Sequence, residues 1–515
     1  MDDLRRRIAE DLTDAIEGDV RIDRTAVALY STDASLFEIE PVAVVCPRTS
    51  TDVEKLAAYS ADQNIPLIAR GSGTGLAGGA IGRGIVVDFS RYMNRVLSFS
   101  GDHARVQPGV TRDQLNRELR AAGRYFAPDP SNSKMTTIGG MLAVDAAGSH
   151  AVRIGSARDH VISIECVLSG GQKLELGRES VSGDQPRLPQ VVQAPSPAAG
   201  LPGFSAELPL SSLTPATRRA DLLNGLDRLL RDSDALIRQH QPPLIRNCSG
   251  YMLRGVCSGE SLDLPRLLAG SEGTLALFTE ATVYTLPIPE HRSAAMLMFG
   301  GLDDAIHATQ VILPMDPSAC DLLDRRLLGL GRGADERLRD VILPEAEAGL
   351  IVEFTGAAAG DVLQRLQDMQ KVLRSAGIDF RVTRIAGSFE ETELLWSLPA
   401  RVVSLLASLR GESRPLPFVE DIAVPPEQLA PFLQTAQRIF QKHEVTASLY
   451  AHAASGQLHF RPILPVPSRG EPTKLTAIAS DLYQQVLLAG GTISGEHGDG
   501  LSRTPFVAQQ YGPLY

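Results

Sequence analysis

Cysteine is scarce: five residues in 515, namely Cys46, Cys166, Cys248, Cys257 and Cys320, none of them in a C-x-x-C pair. No thiolate metal or iron–sulfur motif is therefore visible. Buried free thiols in a reducing compartment are the expectation. Long hydrophobic runs are also missing, since none reaches the ~18 apolar residues that span a bilayer. The opening Met1-Asp2-Asp3-Leu4-Arg5-Arg6-Arg7 has no apolar stretch of the signal-peptide kind. The expected location is the cytoplasm, in solution or at the periphery of a membrane, with no transmembrane segment. Positive charge is in deficit, with 50 Lys+Arg against 61 Asp+Glu and a formal net charge of -11. A nucleic-acid partner needs a basic stripe to displace counterions, so that class is excluded. A small anionic substrate is not, because a local arginine cluster can sit inside an acidic protein.

What is present fits a soluble globular chain, with 43% apolar and 22% charged residues. The length exceeds one hydrophobic core and predicts two or three domains. Leu4, Ile8, Leu12 and Ile16 give an N-terminal helix one apolar face. Thr51-Asp52-Val53-Glu54 reads as a capping box opening a helix to about Asn64. Strands are expected at 65–70, 84–89 and 104–106. Thr111 with Gln114 caps a second helix carrying Leu115 and Leu119. Residues 161–168 and 173–176 flank Gly170-Gly171 as a hairpin. Residues 181–216, rich in Pro, Ser, Ala and Gly, read as a flexible insertion. A helix with Leu222, Leu223, Leu226, Leu229 and Leu230 follows, and 270–286 returns to strand character. Pro287-Ile288-Pro289 marks a domain boundary. Alternating helix and strand patterns then run to about residue 465.

The densest glycine cluster is Ala69-Arg70-Gly71-Ser72-Gly73-Thr74-Gly75-Leu76-Ala77-Gly78-Gly79. It contains a formal G-x-G-x-x-G, but a Rossmann loop must open a helix. Too few residues separate Gly78 from the strand at Gly84, so that reading is rejected. Successive backbone N–H groups can still converge on a pyrophosphate as an anion nest; a flexible turn is the alternative. A second cluster holds Pro128-Asp129-Pro130-Ser131, Thr136-Thr137-Ile138-Gly139-Gly140, Asp145-Ala146-Ala147-Gly148-Ser149 and Gly155. Small residues over that span suggest backbone pressed against a large flat ligand.

Near the C-terminus stand Tyr450-Ala451-His452-Ala453-Ala454-Ser455-Gly456-Gln457-Leu458-His459 and Gly495-Glu496-His497-Gly498-Asp499-Gly500. Three of the ten histidines fall in these two segments. Two imidazoles and a carboxylate suit a divalent ion such as Zn²⁺ or Mn²⁺. The spacing matches no local metal motif, so ordinary surface or core histidines stay open as the other reading.

The two glycine clusters, with Gln107-Pro108-Gly109-Val110 between them, resemble the FAD-binding domain of the vanillyl-alcohol oxidase/PCMH-type flavoproteins. Gly270-Ser271-Glu272-Gly273-Thr274-Leu275 resembles a segment of the glycolate-oxidase and D-lactate-dehydrogenase branch. The resemblance implies an α+β fold. A PCMH-type FAD-binding domain of two α+β subdomains (1–288) would carry an inserted α+β, ferredoxin-like cap (289–490) over the flavin, with a return segment at 491–515. Carried over, Arg70, Gly71, Ser72, Gly73, Thr74, Gly75, Leu76, Gly78 and Gly79 would wrap the FAD pyrophosphate. Pro130, Ser131, Thr137, Gly139 and Gly140 would line the flavin and ribityl chain, and Glu272 would join them. Gly148, Gly155, Asp159 and Val161 would approach the adenosine half. The loop has Ser72 and Thr74 but no histidine, which implies non-covalent FAD.

By the same resemblance the histidine segments look like the G-H-x-G-D-G-N-x-H and G-E-H-G motifs of metal-dependent D-2-hydroxy acid dehydrogenases. His452, His459 and Glu496 would ligate the metal, and His497 would act on the substrate as acid or base. Ala451, Ala454, Ser455 and Gln457 depart from the first motif. The substrate would be a small anionic 2-hydroxy acid of the D-lactate, D-2-hydroxyglutarate or glycolate type, oxidised by hydride transfer to flavin. Arginine is the residue that grips a planar carboxylate. Arg401, after the single Trp396, is one candidate; Arg461, where the family often has Asn, and Arg414 are others. The lysine that D-2-hydroxyglutarate dehydrogenases carry near 415–421 is absent. Family members continue to an Asn-Pro-Gly-Lys segment, whereas this sequence stops at Gly512-Pro513-Leu514-Tyr515. It thus resembles the flavin part of a long subgroup in which an iron–sulfur part follows. An iron–sulfur cluster is expected only in such a part; the electron acceptor would be that module or a quinone. The competing readings are a metal-independent flavin alcohol oxidase and a non-catalytic flavin-binding electron-transfer subunit.

Overall fold

Strands β1 (Asp19–Arg21), β2 (Ala43–Cys46), β3 (Leu67–Arg70) and β4 (Ile85–Asp88) form the first sheet, in the order β1-β2-β4-β3. This is a computed structural model, and it describes residues 2–180, 215–465 and 473–513. The insertion expected at 181–216 lies almost wholly outside those residues. Both β2 and β3 run parallel to β4. The uninterrupted apolar runs of β2 and β4 are buried throughout, as parallel strands covered on both faces require.

The crossover from β2 to β3 is the helix Ser50–Gln63, which ends at Asn64 in the left-handed region, φ 52°. Its N-cap is Thr49, whose hydroxyl accepts the N–H of Asp52 at 3.2 Å. Thr51, the cap expected from sequence, already lies in the first turn. Residues 71–84, between β3 and β4, contain no helix. The rejection of a Rossmann loop therefore holds in the structure.

The second sheet comprises β5 (Val96–Ser100), β6 (His103–Val106), β7 (Val161–Val167), β8 (Lys173–Leu176) and β9 (Leu277–Tyr284), in the order β5-β6-β9-β7-β8. The β7–β8 hairpin turns at Gly170 and Gly171, with φ 86° and 88°. Strand character was expected from residue 270, but β9 begins only at Leu277. Gly270, Glu272 and Gly273 take φ of 87°, 52° and 76°, which makes that stretch a turn.

Beyond residue 288 the chain builds a larger sheet from β10 (His291–Phe299), β11 (Ala319–Asp324), β12 (Ala348–Gly356), β13 (Arg381–Ala386), β14 (Ser413–Pro415), β15 (Thr446–His452) and β16 (Gln457–Pro465). Their order is β13-β10-β12-β11-β15-β16-β14, and the short strand Ile422–Ala423 also pairs with β16. Side chains alternate across it. Ala295, Leu297 and Phe299 pack on one face with residues of helices Leu302–Ile312, Ala359–Ser375 and Leu429–Lys442. Met296 and Met298 pack on the other with helices Arg325–Ala334 and Val402–Ala407. The chain then returns: Ser502 N–H, in the helix Gly500–Tyr511, donates to Ala77 O in the glycine loop at 3.1 Å. Among the described residues, no helix is long and apolar enough to cross a membrane.

Candidate active site

A cavity of about 510 Å³ runs from the glycine loop to the histidine segments. Gly71, Ser72, Gly73, Thr74, Gly75, Leu76 and Gly79 line one end, with Pro130, Ser131, Thr137, Gly140 and Glu272 opposite. Arg70 and Gly139 border a smaller pocket beneath it. The loop is braced from below, because Arg70 donates to Ala80 O at 3.1 Å. Gly73 sits over that side chain with φ 69°, and a Cβ there would stand 2.4 Å from the Arg70 guanidinium. Ser72 Oγ donates to Met135 O at 2.5 Å and ties the two glycine clusters together. Thr137 caps the helix Ile138–Val144. Gly75 faces open space, with nothing within 4 Å of where its Cβ would stand. A long, backbone-walled cleft of this kind fits a dinucleotide.

Gly78, Gly148, Gly155, Asp159 and Val161 do not border the cavity. A Cβ on Gly148, φ 130°, would lie 2.1 Å from Asp129 O, so only glycine lets these segments touch. Asp159 accepts the Ser156 N–H at 2.9 Å in a capping box, beside Gly155. Val161 opens β7.

At the other end, the register of β15 and β16 sets Tyr450 opposite His459 and His452 opposite Gln457. His452 Nε2 lies 3.3 Å and His459 Nε2 3.5 Å from the same atom, Glu496 Oε1. The other carboxylate oxygen, Oε2, is buried with no hydrogen-bond partner in the structure. One ligand atom from each of the three residues falls within 4.8 Å of the other two. The three side chains are nearly buried. Two imidazoles, one carboxylate and an orphaned oxygen fit a divalent cation.

Residues outside these motifs hold the set in place. Asp321, on β11, is the cross-strand neighbour of His452 and receives its Nδ1 at 3.1 Å. Tyr450 OH also donates to Asp321, and Ser149 Oγ does so at 2.6 Å from the flavin side. Asp421, φ 67°, accepts the backbone N–H of Glu496 at 3.0 Å and of His497 at 2.7 Å. A Cβ on Gly495 would crowd the side chains of Gln457 and Asp421, at 2.9 and 3.0 Å. Glu420 accepts from His497 Nδ1 at 2.7 Å, from Arg461 at 3.3 Å and from the fully buried Arg503 at 3.1 Å.

The electrostatics follow from this packing. Burial pulls the pKa of His452 down, but Asp321 and Glu496 on its two sides hold it well above the usual value. Burial lowers His459. Against burial, His497 and Arg461 keep Glu420 well below the carboxylate range, and His452 does the same for Glu496. Burial opposes the charging of His497, and Glu420 and Asp421 nevertheless push it up to about 9. Glu272 goes the other way, raised to about 7 by burial and by Asp499. Its carboxylate takes the N–H groups of Asp499 and Gly500 at 2.7 and 2.9 Å, which joins the flavin end to the glutamate loop.

The structure thus brings His452, His459, Glu496, His497 and Arg461 to one cavity with the glycine loop. It does not bring Arg401 there. That side chain pairs with Asp335 at 3.3 Å and bonds to Ser397 O at 3.1 Å, while Pro399, Ala400, Val402 and Val403 face the cavity instead. Arg414 is exposed and donates to Leu409 O. Asp321 and Arg503 were not found from sequence, and Ser149 was read only as one of a cluster of small residues. Asp321 lies 131 residues from His452, and only the strand register joins them.

Residues 41–177 match the FAD binding domain family, and residues 288–515 match the C-terminal domain of FAD linked oxidases. The D-2-hydroxyglutarate dehydrogenase of Pantoea ananatis is 31% identical over 94% of this chain, but only 46% of that protein is covered. The chain spans about half the length of such curated relatives. Glycolate oxidase subunit GlcD of Bacillus subtilis is 26% identical over 93% of this chain and 85% of its own. Among solved structures, p-cresol methylhydroxylase superposes with a TM-score of 0.65 at 13% identity, covering 100% of this chain and 92% of that one. That likeness establishes a shared PCMH-type fold. The chain thus carries an FAD binding domain followed by the C-terminal domain of FAD linked oxidases, and the proteins it is similar to include glycolate oxidase subunits and D-lactate and D-2-hydroxyglutarate dehydrogenases.

Proposed function

We propose that this chain is the flavin- and substrate-binding part of an enzyme that oxidises a D-2-hydroxy acid to the 2-oxo acid. The observation that carries the reading is the convergence of His452 and His459 on Glu496 in the same cavity as the glycine loop. The names borne by the relatives point to the same chemistry.

Residues 71–76 and 79, with Pro130, Ser131, Thr137, Gly140 and Glu272, would hold FAD. Arg70 and Gly139 would support them from beneath, and Gly78, Gly148, Gly155, Asp159 and Val161 would shape the surrounding backbone. His452, His459 and Glu496 would hold a divalent ion of the Zn²⁺ or Mn²⁺ class. Bound there, the ion supplies Lewis acidity toward the substrate hydroxyl, and FAD supplies the acceptor for the hydride leaving Cα. The chain's own side chains do the rest. Arg461 binds the substrate carboxylate; its Nε is buried without a partner. His497 in its neutral form takes the hydroxyl proton at Nε2, because Nδ1 is engaged by Glu420; Glu420 and Asp421 make that form the minority below about pH 9, so flavin reduction speeds up as the pH rises toward that value. The Cα–H and O–H bonds break, the C=O bond forms, and the carboxylate is unchanged.

Anaerobic mixing with D-lactate and with D-2-hydroxyglutarate, followed through flavin absorbance, tests the reading. Bleaching by either acid, in protein that carries a stoichiometric divalent metal, is the expected result. Flavin left oxidised by both, or metal-free protein that bleaches at the full rate, contradicts it.

A further inference from the structure

The described residues that line the cavity near the histidines include one permanent cation, Arg461. Its charge is already shared with Glu420 at 3.3 Å. The other ionisable groups among the described lining residues are the histidines, Tyr450, Glu496 and, toward the glycine loop, Glu272. Facing them is the segment that was expected to supply a second cation. Arg401 is turned outward to Asp335. The residues that face inward in its place are Pro399, Ala400, Val402, Val403 and Leu406, with the hydroxyl of Ser404 as the one polar side chain among them. Val402 and Leu406 line the cavity together with Tyr450, which stacks on His459 with ring centroids 5.5 Å apart. Val403 is 41% exposed although apolar, on a helix whose neighbours Ser404 and Ala407 are also exposed.

Resting on the function proposed above, we infer that the site takes a 2-hydroxy acid with one carboxylate and an apolar side chain, such as a 2-hydroxyalkanoate, and disfavours dicarboxylates. A 2-hydroxyglutarate-type substrate brings a second negative charge. Beside Val402, Val403 and Leu406 no cationic side chain lines the cavity to receive that charge. An anion desolvated without a partner is strongly unfavourable. An alkyl side chain against the same wall gains by burial instead. The discrimination is of the kind a site achieves by leaving one group of the wrong ligand unpaired.

The test uses the flavin-loaded, metal-replete protein and two measurements. One is anaerobic flavin reduction by D-2-hydroxybutyrate, D-2-hydroxy-4-methylpentanoate, D-malate and D-2-hydroxyglutarate. The other is binding of the product analogues 2-oxobutyrate, 4-methyl-2-oxopentanoate and 2-oxoglutarate to the oxidised protein, read as a perturbation of the flavin spectrum. The monocarboxylates should reduce the flavin with at least tenfold higher kred/Kd, and their oxo acids should bind more tightly by a similar factor. Val403→Lys places a cation on the exposed apolar wall, and it should narrow both ratios at least several-fold in favour of the dicarboxylates. Preference for D-2-hydroxyglutarate in the unmodified protein overturns the inference and leaves the proposed oxidation standing. Failure of every acid to reduce the flavin overturns the proposed oxidation and this inference together. Ratios unmoved by Val403→Lys, in a variant that retains its flavin, refute the assignment of this wall to the substrate side chain.

Discussion

Asp321 and His452 are paired across adjacent strands, carboxylate to Nδ1 at 3.1 Å, so the other imidazole nitrogen is turned toward Glu496. A carboxylate behind a ligating histidine fixes the tautomer and raises the basicity of the ligand nitrogen. Asp321→Asn keeps the shape and removes the charge. It is expected to weaken divalent-metal affinity by about 10–100-fold, measured by competition with a chelator of known affinity. Unchanged metal affinity would reduce Asp321 to a packing residue.

His459 and His497 are neighbours, with ring centroids 5.3 Å apart, yet their variants should fail differently. His459→Ala removes a nitrogen from the set around Glu496. Metal content should fall, and added metal should restore part of the flavin reduction. His497→Ala should keep the metal and slow flavin reduction by ~10²–10⁴-fold, the usual contribution of a general acid–base group. Metal analysis and stopped-flow absorbance on the same samples separate the two. Equal loss of metal in both would move His497 into the coordination shell.

The arginines make a third contrast. Arg461 borders the cavity, and Arg401 is engaged by Asp335 outside it. Arg461→Lys keeps the charge and loses the planar fork. KM should rise at least tenfold with little change in FAD content. Arg401→Lys is expected to shift KM much less. The reverse order of effects would mean that the segment around residue 401 rearranges when substrate binds.

FAD should be held without a covalent bond. The glycine loop offers Ser72 and Thr74 and no histidine, and most of its residues that line the cavity are glycine or alanine. Acid or heat precipitation should leave the yellow colour in the supernatant. Colour retained by the denatured chain would contradict this.

Much of this was legible in the sequence because the signals are local. Glycine density marked the cofactor cleft, and the spacing from Gly78 to β4 excluded a helix. The segments 450–459 and 495–500 carried in plain view the two histidines and the glutamate that the structure brings together. What sequence could not supply was long-range register. The Asp321–His452 pair arises from β11 lying beside β15, and Arg503 reaches Glu420 across 83 residues. The side to which Arg401 points was equally invisible, since it depends on Asp335, which caps a helix elsewhere in the cap. The cap of the helix at residue 50 slipped by two positions because Thr49, Ser50 and Thr51 are all plausible caps in sequence. Only the backbone at Thr49 is extended there.

The flavin end and the cap sheet are also clamped by a partly buried charge network, and its pH dependence can be worked out. His150 faces Asp129 through Nδ1 at 2.6 Å and Glu353 through Nε2 at 3.0 Å. Glu353, on β12, also receives Arg292 at 2.8 Å and the Trp396 indole N–H at 2.7 Å. Glu393 balances Arg292 from outside, and Arg112 faces Asp129. Burial opposes the charging of His150, but Asp129 and Glu353 push it up to about 10 from an ordinary 6.5. Burial likewise opposes ionised Glu353, yet His150 and Arg292 bring it down to about 2 from 4.5. A raised histidine stabilises the fold fully below its unfolded pKa and loses that contribution as pH rises through the folded value. A depressed carboxylate contributes fully above its unfolded pKa and loses that contribution as pH falls. The clamp is therefore strongest between about pH 4.5 and 6.5, and weakens toward about pH 10 on one side and about pH 2 on the other. His150→Gln keeps a polar group without the charge. Its deficit in Tm relative to the unmodified protein, at matched flavin loading, should be largest near pH 6 and should shrink steadily as the pH is raised to about 10. A deficit that stays constant over that range would show that His150 acts by shape and not by charge.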